Sequence, residues 1–218
     1  MMNVVLNFNK NLTQAKVRQF IVVWYVVGLA GFLLPFSRGL FEALIPVSVL
    51  LNLFLLLRFH RPWNPLHVGA FLGVALLTIA LEAIGTNTGL LFGSYAYGPS
   101  LGWQVFATPV LIGANWLVLL YGAVAIVRRF AVLQRWVPFS AGVLMVVFDF
   151  VMEPVAMATG MWDWAGGVVP LKNYLMWFVI SVLLAGAFEL VRIQTVRPVA
   201  ERLFWAQLAF FLVLNLFL

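Results

Sequence analysis

The chain has 218 residues, of which 64% are hydrophobic and only 9% charged, with a formal net charge of +6 and no cysteine. A soluble domain carries about 25% charged residues and could not hide this much apolar surface, so the chain must dissolve in lipid. The missing cysteines exclude disulfides, thiolate metal sites and iron–sulfur clusters, and two histidines, His60 and His67, are too few for a many-histidine di-iron centre.

In chain order, a polar start (residues 1 to 16) precedes the first apolar window. No evident cleavage site follows that window, so it reads as a retained anchor and not a signal peptide. Windows of about 17–25 apolar residues fall roughly at 17–34, 41–58, 66–84, 104–127, 136–159, 171–192 and 201–218. The predicted fold is all-α: a single transmembrane domain over 1–218, a polytopic bundle of about seven helices. In a seven-span path Lys10, Lys16, Arg18, Arg58, Arg61, Arg128, Arg129, Arg135, Arg192, Arg197 and Arg202 share one side, and only Arg38 and Lys172 take the other. The excess of basic residues in cytoplasmic loops then puts the N-terminus in the cytoplasm. On this reading the positive charge is a set of topology anchors spread over several loops, not a patch, and it implies no nucleic-acid partner.

The seven acidic residues can be taken one by one. Glu42 follows Arg38 by four positions and Glu189 precedes Arg192 by three, so both read as local helix-end pairs. Glu201 beside Arg202 reads the same way. Glu82, Asp149, Glu153 and Asp163 remain. Glu82 lies near the exit of the third window, and Asp149 and Glu153 lie in the later part of the fifth. Both spans run outward, so three carboxyl groups reach one depth in the outer half of the bilayer, with Asp163 in the loop beyond. At i and i+4, Asp149 and Glu153 project from one helix face. An acid near mid-membrane costs about 2.5–3.5 kcal/mol on insertion scales, so these groups should face the bundle interior. No basic residue within the spans matches their depth. One hydrogen-bonded carboxylate can simply join helices; three at one depth point to a site. Pro154 removes a helical hydrogen bond to the Phe150 carbonyl and is expected to kink the helix beside Glu153.

A weak internal echo links the two regions. Glu82 is followed six positions on by Thr88-Gly89, and Glu153 by Thr159-Gly160; aromatic stretches come next, "LLFGSYAYG" and "MWDW". Asn115-Trp116 follows the first copy, and Asn173 and Trp177 follow the second. Read as a repeat, 66–127 and 136–192 form two parallel halves facing one cavity, each contributing an acid and an asparagine. Trp103, Trp162 and Trp164 suit a membrane interface, and aromatic faces of this kind also stabilise a nearby cation.

The segments "EAIGTNTGLLFGSYAYG…LG…PVLIGANWLVLLY" (82 to 121) and "FDFVMEPVAMATGMWDW…VPLKNYLMWF" (148 to 178) resemble the integral-membrane carotenoid biosynthesis family. That family includes the cofactor-independent carotenoid 1′,2′-hydratases, of the bisanhydrobacterioruberin and γ-carotene hydratase types. It is also distantly similar to the small heterodimer-type lycopene cyclases. Many relatives carry Asp-Pro where this chain has Glu153-Pro154, and Gln where it has Lys172. The resemblance implies hydration of the terminal alkene of an acyclic carotenoid end, without a cofactor or metal. A carboxyl group deprived of water, or crowded by a second one, retains its proton near neutral pH. Protonating the alkene gives a tertiary cation, and a carboxylate orients the water and accepts its proton. Glu82, Asp149 and Glu153 are the expected acid–base set. Asn115, Trp116, Trp162, Asp163, Trp164 and Asn173 are the expected partners of the substrate, a lipophilic carotenoid reached from the bilayer of a bacterial cytoplasmic membrane.

The nearest alternative is a cyclase, which would make the same cation and capture it with an internal alkene. Buried carboxylates would also suit a membrane carrier. A retinal protein needs a membrane-buried lysine, and Lys10, Lys16 and Lys172 do not provide one in the last span. Neither an Asp-rich diphosphate motif nor a glycine-rich nucleotide fingerprint is present.

Overall fold

The computed structural model describes residues 13–218, so most of the polar start, with Lys10, lies outside the described residues. The described chain folds into eight α-helices with short strand pairs between them. They are α1 (Gln14–Leu33), α2 (Arg38–Ala43), α3 (Ile45–Phe59), α4 (Pro65–Thr88), α5 (Leu111–Val127), α6 (Val137–Ala158), α7 (Leu171–Leu190) and α8 (Arg197–Leu214). Among the described residues four segments are long and apolar enough to cross a membrane: α1, α4, α7, and α6 together with the 3₁₀ turn before it. Helices α3 and α5 are apolar but shorter. The protein is thus an all-α membrane bundle.

Local chemistry explains most helix ends. Thr13 caps α1, its Oγ1 accepting from the Lys16 N–H at 3.3 Å. Asn64 caps α4 through its Oδ1 and the His67 N–H at 2.8 Å, with Pro65 at the first helical position. Gly89 closes the same helix at φ 66°. Two windows are divided differently from the sequence expectation. The window at 41–58 holds the end of α2 and nearly all of α3, broken at Leu44 just before Pro46. The window at 104–127 opens with a hairpin of β2 (Gln104–Val105) and β3 (Thr108–Pro109), and its helix starts only at Leu111. Helix α6 runs through Pro154 to Ala158 without a break.

Helix α5 is the pillar of the bundle. Nearly every residue from Trp116 to Val127 is buried, and the helix packs against α3, α4, α6, α7 and α8. A helix apolar all round has to be central, because no face of it requires water. The most extensive helix pairings are α6 with α7 and α1 with α8.

At one end of the bundle the loops after α4 and α6 meet. Strand β1 (Tyr95–Tyr97) pairs antiparallel with β4 (Trp162–Trp164), in the register Tyr95 to Trp164, Ala96 to Asp163 and Tyr97 to Trp162. The Gly98 N–H continues the ladder to the Met161 carbonyl at 2.9 Å. A Cβ on Gly98 would stand 2.1 Å from the Gly160 carbonyl oxygen, so only glycine permits this approach.

The opposite end carries most of the basic residues. Glu189 does not pair locally with Arg192; it takes Arg128 from the end of α5 at 2.6 Å. Glu201 pairs with Arg129 at 3.7 Å and not with its neighbour Arg202. Likewise Arg38 donates from Nε to the Phe32 carbonyl at 3.0 Å, without the expected Glu42 bridge. In each case tertiary packing brings a partner closer than the helical neighbour. His60 and His67 are both buried at this end, His60 Nε2 lying 3.1 Å from His67 Nδ1 and His60 Nδ1 lying 2.9 Å from the Tyr121 hydroxyl. The Tyr121 hydroxyl also accepts from the Val196 N–H at 2.9 Å, so one phenol ties the ends of α3, α5 and α8.

Two consequences can be measured. Gly98→Ala should destabilise the folded chain by roughly 1–3 kcal/mol in thermal unfolding, because the obstacle is backbone. Gly69→Ala, whose Cβ would meet nothing within 4 Å, should not. Burial, with His67 and Arg61 adding to it, lowers the pKa of His60 from 6.5 to about 4. The folded state therefore binds this proton less readily than the unfolded chain, and the contribution of neutral His60 is complete above pH 6.5 and lost as pH falls towards 4. The His60→Asn variant should show a shallower decline of unfolding temperature across that interval.

Candidate functional site

The candidate site is built beneath the β1–β4 pair. Glu82 arrives on the last turns of α4, and Asp149 and Glu153 arrive one turn apart on α6. Their relative exposures are 4%, 0% and 2%. An ionisable group this deep must find polar partners, because an unmet lone pair in a dry interior costs about 1–3 kcal/mol. The partners come from the strands. In a strand, alternate residues share a face, so Tyr95, Tyr97, Trp162 and Trp164 all point to the carboxyl groups, with Ala96 and Asp163 on the other side.

Each strand serves the acid of the helix before it. The Tyr95 and Tyr97 hydroxyls donate to Glu82 Oε2 at 2.5 and 2.9 Å, and Trp116 Nε1 donates to Glu82 Oε1 at 3.2 Å. Trp162 and Trp164 each donate from Nε1 to Glu153 Oε2 at 2.8 Å. Asn173, at the start of α7, bridges the α6 pair: its Nδ2 donates to Asp149 Oδ2 at 2.7 Å and to Glu153 Oε1 at 3.3 Å. Asp149 Oδ1 is buried and has no hydrogen-bond partner among the described residues. The three acids are close enough to interact electrostatically with one another. Burial, then the Glu82 carboxyl, pushes the Tyr95 and Tyr97 phenols far up from their ordinary value, so both stay protonated donors.

Aromatic walls close the site. Tyr95 lies over Trp164 with ring centroids 4.8 Å apart, and Tyr97 meets Trp162 edge-on at 5.9 Å. Trp116 stacks on Trp177 at 4.1 Å. Trp162 links the site to an apolar cavity of about 260 Å³: the tryptophan lines the cavity and its N–H holds Glu153.

Of the residues singled out in the sequence, the fold brings together Glu82, Asp149, Glu153, Trp116, Trp162, Trp164 and Asn173. Two stand apart. Asp163 is exposed on the far face of β4, because the alternation that buries its tryptophan neighbours turns it outward. Asn115 lines the apolar cavity, and the donor to Glu82 from α5 is the next residue, Trp116. Tyr95 and Tyr97 were not anticipated as partners of the acids, and Trp177, noted in the echo, was not expected to stack on Trp116. The signal for the tyrosines was the period of two in "YAY" and "WDW", which marks paired strands whose aromatic residues share a face.

A family model described as carotenoid biosynthesis protein matches residues 41–218, most of the chain. The chain belongs to this carotenoid biosynthesis family. The match takes in every helix from α3 to α8 and all of the carboxyl site, whereas α1 precedes it. No curated protein and no solved structure matches the chain. Membership gives the protein an enzyme-type role in carotenoid synthesis and a carotenoid as its substrate class, in keeping with apolar walls around a few fixed polar groups.

The Asn173 bridge can be tested by stability alone. Asn173→Ala leaves two buried carboxyl oxygens without this donor and should cost about 1–3 kcal/mol in thermal unfolding. A double-mutant cycle with Asp149→Leu should return a coupling of about 0.5–3 kcal/mol, whereas a cycle with the distant Arg135→Gln should return none.

Proposed function

We propose that the protein adds water across the terminal 1′,2′ double bond of an acyclic carotenoid end, with Asp149, Glu153 and Glu82 as the acid–base set. The observation that carries this reading is Asp149 Oδ1, a wholly buried carboxyl oxygen with no partner, held next to Glu153 by one shared amide. Every other oxygen of the three acids has a donor. This one is left for a reacting group or for water.

The chemistry balances without a redox partner. A carboxyl O–H gives its proton to the less substituted alkene carbon, and the π electrons form the new C–H bond. The neighbouring carbon becomes a tertiary cation, which lies among the indole and phenol faces of Trp162, Trp164, Tyr95 and Tyr97. A water lone pair then forms the C–O bond, and the proton that water loses goes to a carboxylate. Asp149 and Glu153 share Asn173, so they act as one unit, and the donor role belongs to the pair. The cavity lined by Trp162, Met152 and Met161 supplies an apolar approach for an isoprenoid end.

The same reading places the chain in a bacterial cytoplasmic membrane, crossing it about seven times with the N-terminus inside. It is supported by the separation of ends: the paired strands and the acids lie at one, and Arg128, Arg129, Arg197 and Arg202 at the other. The two helix–strand–helix units, α4–β1–α5 and α6–β4–α7, support a duplicated plan, since each strand holds the acid of the helix before it.

Product mass decides the function. The chain would be expressed in a bacterial host that accumulates lycopene or γ-carotene, and the pigments analysed by chromatography and mass spectrometry. The expected result is a gain of one water, reduced about 10²–10⁴-fold in Asp149→Asn and Glu153→Gln variants present in the membrane at equal amounts. A new pigment of unchanged mass would show a cyclase using the same proton transfer. No new pigment from either substrate would overturn the hydratase reading.

A further inference from the structure

The basic residues at the opposite end do not all stay apart as separate loop anchors. Arg18 at the start of α1, Arg129 after α5, and Arg197 and Arg202 in the first turns of α8 line one cavity of about 430 Å³. Among the described residues its other charged lining residue is Glu201, whose bond to Arg129 is 3.7 Å long. Four guanidinium groups thus face one carboxylate. Helix α8 also begins here without a side-chain cap, so its first backbone N–H groups and the positive end of its dipole add to the field.

The cavity continues into a second of about 430 Å³, and the two share Arg202 and Trp205. The second is an apolar groove between α1 and α8, walled by Val22, Val26 and Leu29 on one side and Ala206, Ala209 and Val213 on the other. Val22 and Val26 are exposed, at 40% and 58%, as is Trp205 at 46%. A cationic pocket joined end to end with an apolar groove, with a tryptophan at the junction, has the layout of an anionic amphiphile. Guanidinium forks match phosphate oxygens, small residues on α8 leave room for a chain, and tryptophan favours the headgroup level.

We infer that this site binds a phospholipid with a net negative headgroup: the phosphodiester among Arg18, Arg129, Arg197 and Arg202, and one acyl chain along the α1–α8 groove. A phosphate ion shares the headgroup chemistry but not the chain, and a zwitterionic lipid shares the chain but not the net charge. The ligand would clamp α1 to α8, and α1 is the helix that precedes the family match.

The full chain, purified in a non-ionic detergent, would be titrated separately with dioctanoyl phosphatidylglycerol, dioctanoyl phosphatidylcholine and inorganic phosphate. Native mass spectrometry reads the lipid retained, and thermal unfolding reads the protection. The expected result is retention of phosphatidylglycerol with a higher unfolding temperature, and little effect of the other two. Arg18→Gln/Arg202→Gln should weaken phosphatidylglycerol binding by at least about tenfold, and Arg135→Gln, outside the cavity, should leave it unchanged. Ala209→Trp, which fills the groove and keeps every arginine, should also lose the lipid; it carries the test if the double variant does not fold. Equal retention of the two lipids, or unchanged phosphatidylglycerol binding in a folded double variant or in Ala209→Trp, would overturn the assignment. Protection by phosphate as strong as that by phosphatidylglycerol would overturn the lipid part and leave an anion site.

Discussion

Three carboxyl groups inside an apolar bundle must be given hydrogen-bond donors, and the structure around them follows from that requirement. The donors are two phenols, three indoles and one amide, all neutral. A lysine or arginine at this depth would have locked each acid into an ion pair, with a desolvation cost for both charges. Neutral donors satisfy the oxygen lone pairs without cancelling charge. Proton transfer therefore remains the chemistry open to the site, and aromatic donors double as a wall for a cation.

Neutral donors of the right reach do not come from the helices alone. They come from two three-residue strands that neither half could stabilise by itself, since an isolated two-stranded ribbon is marginal in water. Here the ribbon rests on carboxyl groups below and on helix ends at its sides, and the Gly98–Gly160 approach holds it shut. The acids need the ribbon for hydrogen bonds, and the ribbon needs the acids to satisfy two buried indoles and two half-buried phenols. Fold and site are in this sense one network.

The other end of the bundle is organised by different forces. Arg128 bridges to Glu189, Arg129 to Glu201, and Tyr121 gathers His60 and the chain before α8. These contacts join helix termini where the apolar faces run out, and they leave Arg18, Arg197 and Arg202 to a shared cavity. The described residues are thereby polarised, with three buried acids at one end and a cluster of arginines at the other.

Membrane character, helical class and the rough position of each helix were determined by the sequence alone, because apolar windows of spanning length have no other stable state. So was the pairing of Asp149 with Glu153, which the 3.6-residue period of a helix imposes. The order of acid, Thr-Gly and aromatic run in both regions was also visible in the sequence. Tertiary structure decided what no local period could. It paired β1 with β4 in a register that buries Trp162 and Trp164 and exposes Asp163. It chose Trp116 over Asn115 as the donor to Glu82, and it gave Glu189 and Glu201 to arginines from another helix. Such choices depend on which surfaces meet across long stretches of chain, and on a strand one residue of register reverses every side chain.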